Sequence, residues 1–267
     1  MNWRLLPFET VPPPAAMAVD EALLYSAERP VLRFYRWEQP GAVTIGDQQD
    51  ASEVHPRVPL VRRLSPGRAL YHGPEDLTYA VIGLRSLFTA LPSRTGLAEH
   101  LKAYYTICSW ITRFLQASGA PAVYNRSASI LVNGRKISGN AQAHLPGQGT
   151  FYQHGSIFCF SDAAERAELL SRLHGQQVPP ARLASVREFT ADPPAALESA
   201  LIAAFTAGVE ELGHSWERSA LTPAERTRAQ ELIETKYNTD AWNRGGHVQR
   251  GPCETAWGQY PDRPEPA

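Results

Sequence analysis

The dipeptide Asn133-Gly134 constrains the fold more than any other feature of this sequence. It separates the apolar run SILV (129–132) from KIS (136–138). Asn-Gly between two such runs is the strongest short-range signal for a two-residue β-hairpin. The segment TFYQHGSIFCF (150–160) follows a glycine-containing loop and predicts a third strand. The middle of the chain is therefore predicted to be a largely antiparallel sheet.

Helices and further strands surround this hairpin without a regular βαβα order. Apolar residues at spacings of three and four predict a long helix over 97–118, which Gly119 ends, and a shorter helix over 16–27. Asp192-Pro193 opens a helix that closes near Gly213, and the capping box at 222–225 opens another. Strands are predicted over 31–37, 41–46, 60–63 and 77–84. This order indicates the α+β class, with a mixed, largely antiparallel sheet backed by helices.

Composition excludes several classes of function. The 267 residues carry a formal net charge of −1, which gives no general attraction to nucleic acid or to an anionic membrane. The three cysteines, Cys108, Cys159 and Cys253, show neither CxxC spacing nor a disulfide framework, so we predict a reducing compartment and no metal site. No signal peptide and no run of about 18 apolar residues is found, and a cytoplasmic protein is expected.

Lys136 lies in the most motif-like segment, GRKISGNAQ (134–142), although the chain has just three lysines among 26 basic residues. In a regular strand Lys136, Ser138 and Asn140 would share one face, and the small Gly139 would let backbone approach from the other. An ammonium about 4 Å from an anion contributes about 4 kcal/mol at an effective dielectric of 20. The alternative interpretation is the solvated face of an ordinary hairpin.

Two further segments hold candidate binding residues. In VRRLSPGRALYHGPEDLTY (61–79), arginines flank a Ser-Pro-Gly turn and His72 follows, an arrangement that suits phosphate or carboxylate. It is not a P-loop, because the Gly-Lys-Ser/Thr ending is missing, and a basic surface loop is the alternative. In YQHGSIF (152–158), the pair His154-Gly155 indicates a bulge or a close backbone approach. A single histidine in a strand is more often structural than catalytic.

Taken together, these segments resemble the lipoate–protein ligase and octanoyltransferase family, which shares its catalytic fold with biotin–protein ligases. The matching segments are MAVDEALL (17–24), LRFYRW (32–37), RRLSPGRALYH (62–72), LTYAV (77–81), GRKISGNAQ (134–142), QHGSIF (153–158) and KYNTDAWN (236–243). The resemblance implies a class II synthetase-like catalytic domain over 1–243, with an acyl tunnel, followed by an irregular tail over 244–267.

The resemblance also implies roles for individual residues. Lys136 corresponds to the family lysine that contacts the acyl carbonyl and, in ligases, the adenylate. Acyl or adenylate binding is implied for Arg62, Arg63, Ser65, Gly67, Arg68, His72, Ser138, Gly139, Asn140, Gln142, His154 and Gly155. Two positions depart from the family pattern: Pro66 replaces the first glycine of the ligase loop and offers no N–H, and Gly73 replaces an acidic or amide residue.

The chemical subtype is left between three alternatives. Family transferases pass the acyl group through a cysteine upstream of the hairpin, and residues 117–136 contain none. We therefore expect a ligase that uses ATP and Mg²⁺ to activate lipoate or octanoate as an acyl-adenylate. The alternatives are a transferase with a thioester donor and a non-catalytic relative that binds the acyl group or the lipoyl domain. Implied partners are lipoyl-domain proteins of the 2-oxoacid dehydrogenase E2 or glycine cleavage H type, and a separate accessory-domain subunit.

Overall fold

The computed structural model describes residues 1–26, 28–54, 58–84, 86–89, 99–125, 128–145, 149–159, 163–174 and 177–245. The strands in these ranges are β1 (Asn2–Leu5), β2 (Glu9–Val11), β3 (Val31–Trp37), β4 (Ala42–Ile45), β5 (Leu60–Arg62), β6 (Leu70–His72), β7 (Leu77–Leu84), β8 (Ala122–Tyr124), β9 (Ser129–Val132), β10 (Arg135–His144), β11 (Thr150–Ile157) and β12 (Ser215–Arg218). The helices are α1 (Pro13–Ser26), α2 (Ser86–Thr89), α3 (Glu99–Ala117), α4 (Ala163–His174), α5 (Pro194–Glu211), α6 (Pro223–Leu232) and α7 (Asp240–Asn243). A π-helical turn, Ile233–Tyr237, continues α6.

The described strands form two sheets. The larger has the order β12-β1-β3-β7-β11-β10-β9-β8, with β2 also paired to β3. Its steps from β3 to β8 are antiparallel, whereas β1 runs parallel to both β3 and β12. The smaller sheet has the order β5-β4-β6. The predicted mixed, largely antiparallel sheet backed by helices is therefore confirmed.

Helices cover both faces of the larger sheet. The side chains of β3 alternate between these faces and pack against different helices on each. Leu32 and Phe34 point into the main core with α3 and α5, whereas Tyr35 packs with α1 and α6. Between them, buried Arg33 pairs with Asp20 of α1, so that this helix is tied to the sheet by a desolvated ion pair. Among the described helices, none is both long and apolar enough to cross a bilayer.

Several local predictions are confirmed. Asn133 and Gly134 have φ values of 50° and 76°, as a two-residue type I′ turn requires, and they join β9 to β10. The capping box at Thr222 opens α6, with reciprocal hydrogen bonds to Glu225. The long predicted helix is α3, although residues 97 and 98 lie outside the described residues, as do 246–267 of the predicted tail.

Strand β12 was missed, because no strand was predicted after residue 160. This strand has four residues, SWER, and none of them is buried. It forms by parallel pairing with β1, which lies more than 200 residues away in sequence. No local sequence pattern predicts an edge strand of this kind.

Candidate active site

A cavity of about 440 Å³ lies where the smaller sheet meets β10 and β11. It is lined by Thr44, Arg63, Pro66, Gly67, Arg68, Ala69, Leu70, His72, Thr78, Tyr104, Ala128, Lys136, Gly139, Asn140, Ala141, Gln142, His154, Gly155, Ser156, Phe158, Leu170 and Leu183. Its volume falls within the range of about 300–1,000 Å³ that is typical of small-molecule sites. Most of the candidate residues, which come from three separate segments, therefore meet in one cavity.

Lys136 enters the cavity from an irregular part of β10. The register with β9 shifts between Lys136 and Ser138, and the intervening Ile137 is buried in the core. The carbonyl groups of this irregularity are satisfied from outside the strand pair: Lys136 accepts from the Ala184 N–H at 2.9 Å, and Ile137 from the Phe158 N–H at 2.9 Å. The prediction that Lys136, Ser138 and Asn140 share one face of a regular strand is wrong, because this shift breaks the alternation.

Two glycines allow close approaches beneath the cavity, one by a side chain and one by backbone. A Cβ on Gly139 would lie 3.2 Å from both Cε and Nζ of Lys136, so the lysine side chain crosses directly over this glycine. A Cβ on Gly155 would lie 2.2 Å from Oδ1 of Asn140 and 2.7 Å from the carbonyl oxygen of Gly139. The close backbone approach predicted at Gly155 is confirmed. Strand β11 keeps its register there, and no bulge is present at that residue.

Arg63 organises the loop that borders the cavity. Its Nε donates to Ser65 Oγ at 3.1 Å and its Nη1 to Thr44 Oγ1 at 3.2 Å. Its Nη2 donates to the carbonyl oxygens of Pro66 at 2.9 Å and Arg68 at 3.1 Å. Burial lowers the pKa of Arg63 to about 10, so the group is still a cation at neutral pH. The side chain therefore holds the turn 65–68 in place with two of its nitrogens and ties it to β4 with the third.

Two buried histidines line the cavity on either side of Arg63. Nε2 of His154 lies 2.6 Å from Ser65 Oγ. His72 bridges two hydroxyl groups, with Nε2 at 2.9 Å from Thr44 Oγ1 and Nδ1 at 2.7 Å from Ser156 Oγ. Burial, reinforced by the positive charge of Arg63, lowers the pKa of both imidazoles well below the usual value. Both histidines are therefore neutral at pH 7.

Two amide side chains of the wall, those of Asn140 and Gln142, are fixed by a second set of hydrogen bonds. The hydroxyl of Tyr79 donates to Oδ1 of Asn140 at 2.8 Å and accepts from Nε2 of Gln153 at 2.9 Å. Gln142 donates to Oε1 of Gln153 at 2.6 Å, and Asn140 donates to the Ala128 carbonyl oxygen at 3.2 Å. The amide groups of β10 are thus held in one orientation before any ligand arrives.

The structure separates the candidate residues into two groups. Lys136, Arg63, Gly67, Arg68, His72, Gly139, Asn140, Gln142, His154 and Gly155 line the cavity. Arg62, Ser65 and Ser138 do not. Ser65 contacts the cavity residue His154, and Ser138 is buried beside Asn140 at 3.5 Å. Arg62 instead points to the C-terminal segment and to the loop at 46–49, where it donates to the carbonyl oxygens of Trp242 at 3.0 Å and Gly46 at 2.9 Å.

Four polar residues of the cavity wall were missed by the sequence analysis: Thr44, Thr78, Tyr104 and Ser156. Thr78 and Ser156 are directly paired across β7 and β11, and their hydroxyl groups lie 2.9 Å apart. Both were placed correctly in strands, but the face that each strand presents to the cavity depends on the tertiary arrangement. Thr44 lies in the short β4, which carries no local signal of function.

The two described cysteines do not line the cavity. Cys108 and Cys159 are both fully buried in the main core, and burial raises the pKa of each thiol far above the ordinary value. Cys253 lies outside the described residues.

Comparison with known proteins places this geometry in a family. The octanoyltransferase LipM of Brevibacillus brevis is 31% identical over 91% of this chain and 98% of its own length. A lipoate-protein ligase A structure with bound ATP superposes with a TM-score of 0.74 at 26% identity, covering 92% of this chain and 99% of that one. The bipartite lipoate protein ligase of Thermoplasma acidophilum, studied with its E2 lipoyl domain, gives 0.76 at 25% identity, covering 95% and 99%.

The relatives are therefore named for two different chemistries, whereas the fold and the family are common to both. The family model for the lipoyl protein ligase A/B catalytic domain matches residues 12–206, which include every residue that lines the cavity. From this match, and from the similarity over nearly the full chain, we conclude that the protein belongs to the lipoyl protein ligase A/B catalytic domain family.

Proposed function

We propose that the protein transfers an octanoyl or lipoyl group from an acyl thioester to the acceptor lysine of a lipoyl-domain protein. The observation that carries this proposal is a cavity that combines an apolar wall for an acyl chain, formed by Leu70, Phe158 and Leu170, with the side chain of Lys136. The similarity to octanoyltransferases over nearly the full chain supports the thioester donor more strongly than the ATP-dependent ligation that the sequence analysis favoured.

The chemistry requires a charge that stabilises an oxyanion. The neutral amine of the acceptor lysine attacks the thioester carbonyl, a C–N bond forms, and the carbonyl oxygen becomes negative in the tetrahedral intermediate. The C–S bond then breaks, and the leaving thiolate takes the proton that the amine loses, so that amide and thiol are the products. Lys136 stabilises the oxyanion. At about 4 Å and an effective dielectric of 20 this interaction contributes about 4 kcal/mol.

ATP-dependent ligation is the second candidate, and the position of the two described cysteines favours it. Cys108 and Cys159 are buried and do not line the cavity, and an adenylate-forming ligase needs no enzyme thiol. Arg68 and Lys136 could bind phosphate oxygens of the nucleotide. Two features weaken this candidate. Pro66 offers no N–H to a phosphate group, and the guanidinium of Arg63 is already occupied by the loop that it holds. The known ligase with bound ATP supports this candidate.

The acceptor is proposed to be a lipoyl domain of the E2 or glycine cleavage H type, since a related ligase was studied with its E2 lipoyl domain. We further propose that residues 1–243 form the catalytic domain, with 244–267 as a tail. If ligation is the reaction, a separate accessory-domain subunit completes the activity, as the bipartite relative suggests.

The proposal is tested by the mass of a purified lipoyl domain after incubation with the protein. One reaction contains octanoyl–acyl carrier protein without ATP, and the other contains octanoate or lipoate with ATP and Mg²⁺. Octanoyl mass gained from the thioester alone supports transfer, and mass gained with ATP alone supports ligation. No gain in either reaction, together with retained binding of octanoate, identifies the non-catalytic alternative.

The role of Lys136 has a matched control in the same protein. Lys136→Ala is expected to lower the transfer rate by at least about 100-fold, because the oxyanion loses its cation. Lys102→Ala removes a lysine from α3, outside the cavity lining, and is expected to leave the rate unchanged. Equal rates for the Lys136 variant and the wild type would refute the assigned role.

A further inference from the structure

We infer that His154 is a catalytic hydrogen-bond donor: Arg63 and Ser65 fix its Nδ1–H tautomer, and that N–H donates to the carbonyl oxygen of the bound acyl group. This inference rests on the proposed function and adds to it a second donor for the oxyanion, besides Lys136. It also assigns Ser65, which does not line the cavity, as a positioning residue.

The direction of the hydrogen bonds follows from the position of Arg63. A guanidinium can only donate, so Ser65 Oγ accepts from Arg63 Nε at 3.1 Å. Ser65 is completely buried, and its hydroxyl proton needs an acceptor within the protein. Nε2 of His154 lies 2.6 Å from the same oxygen. Ser65 therefore donates to Nε2, and this nitrogen cannot carry a proton in the neutral ring.

The charge state then determines what the other ring nitrogen does. Burial and the neighbouring Arg63 charge lower the pKa of His154, so the ring is neutral at pH 7. A neutral imidazole has one N–H, and Ser65 occupies the lone pair on Nε2, so the proton is on Nδ1. An imidazolium would instead place an N–H against the Ser65 proton, beside a second cation. The buried ring is therefore a donor and has no lone pair left to act as a base.

The surroundings of the ring fix its plane. The imidazole packs on the ring of Tyr152, with 4.4 Å between the ring centroids. Tyr152 itself donates to Asp20 Oδ2 at 2.8 Å, so the stacking partner is tied to α1. His154 and Lys136 line the same cavity, as does Gly155, which leaves the wall beside the histidine without a side chain. A neutral imidazole N–H held in this way is suited to polarise a carbonyl group, because its orientation costs no reorganisation during the reaction.

The tautomer can be measured without turnover. Long-range ¹H–¹⁵N correlation spectra of ¹⁵N-histidine-labelled protein at pH 7 distinguish the two neutral tautomers from each other and from the imidazolium, and His154→Gln identifies the resonance. We expect a protonated Nδ1 and an unprotonated Nε2, and Ser65→Ala should relax this preference. A protonated Nε2 or a charged ring in the wild type would overturn the inference.

The catalytic role has a matched pair of variants. His154→Asn places an amide N–H near the position of Nδ1, whereas His154→Gln reaches the position of Nε2 and Ser65. We expect kcat to fall by less than about 10-fold in the Asn variant and by about 100-fold or more in the Gln variant, with a similar KM in both. The reverse order would overturn the inference. If the wild type modifies no lipoyl domain from either donor, the proposed function fails and the catalytic role with it, whereas the wrong tautomer in an active protein refutes the inference alone.

Discussion

Alanine at Gly155 is predicted to damage the fold, whereas alanine at the neighbouring Gly139 is predicted to damage the chemistry. The two glycines lie on adjacent strands, where Gly155 pairs with Asn140 and Gly139 pairs with Ser156. The added Cβ at Gly155 meets the backbone oxygen of Gly139 at 2.7 Å and Oδ1 of Asn140 at 2.2 Å. At Gly139 it meets the flexible end of Lys136 at 3.2 Å.

The magnitudes follow from what must move in each case. In Gly155→Ala the paired strands β10 and β11 must separate, and overpacking of this kind costs about 1–3 kcal/mol. The displaced Asn140 amide also loses its hydrogen bond from Tyr79, which adds about 1 kcal/mol. A loss of about 2–4 kcal/mol corresponds to a fall in Tm of about 5–15 °C for a domain of this size. In Gly139→Ala the Lys136 amine moves by a few tenths of an ångström, which costs about 10-fold in kcat and little stability.

The assay combines thermal unfolding of both variants with the lipoyl-domain mass assay, at a temperature where both are folded. Gly155→Ala should unfold well below the wild type, and Gly139→Ala should unfold within about 3 °C of it while transferring more slowly. A Gly155 variant as stable as the wild type would refute the close approach between β10 and β11. A Gly139 variant with full activity would show that the Lys136 amine does not need its present position.

Three further predictions concern buried residues. Arg62→Lys should lower the free energy of unfolding, measured in urea, by about 1.5–3 kcal/mol, because the guanidinium that donates to the Trp242 carbonyl oxygen is lost. An unchanged urea midpoint would contradict the assigned contact. As the pH falls from 6.5 to 5, the free energy of unfolding of the wild type should fall by up to about 1.4 kcal/mol per pH unit relative to that of His154→Asn. The reason is that the imidazole of His154 binds a proton in the unfolded chain and not in the folded one. Parallel curves of stability against pH would refute this. Cys108 and Cys159 should resist alkylation at pH 8 in the native state and react in urea, as peptide masses would show, and rapid native labelling would place a thiol at the surface.

The sequence could predict the hairpin and the capped helices because their causes are local. Asn133-Gly134 adopts the positive φ values that its own chemistry favours, and Thr222 forms its box with a residue three positions away. The Lys136 segment and the His154 segment were found for a related reason, since each combines an unusual residue with a glycine. Their meeting in one cavity depends on the antiparallel pairing of β10 with β11, which a short loop between two strands favours.

The adjacent residues Arg62 and Arg63 show what the sequence could not decide. Both were predicted to bind substrate, and both have the same side chain in the same strand segment. Successive residues of a strand face opposite ways, so one of the two must point away from the cavity. Arg62 points to Trp242 and Asn243, which are about 180 positions away in sequence. That contact exists because the C-terminal segment folds back over β5, and no local pattern contains this information.

Arg63 reinforces the effect of burial on the two histidines of the cavity, whose pKa values lie well below the usual value. A cation buried without a carboxylate among its hydrogen-bond partners is costly, and its pKa of about 10 corresponds to a penalty on the order of 3 kcal/mol relative to an exposed arginine. The cation lies between Ser65, which contacts His154, and Thr44, which contacts His72. Burial lowers the pKa of both imidazoles, and the positive charge of Arg63 lowers it further, so both rings are neutral. The N–H groups of Arg63 also orient the hydroxyls of Ser65 and Thr44, and these hydroxyls orient the two histidine rings. The destabilising charge of Arg63 is therefore what gives the cavity wall a fixed pattern of donors and acceptors before an acyl group arrives.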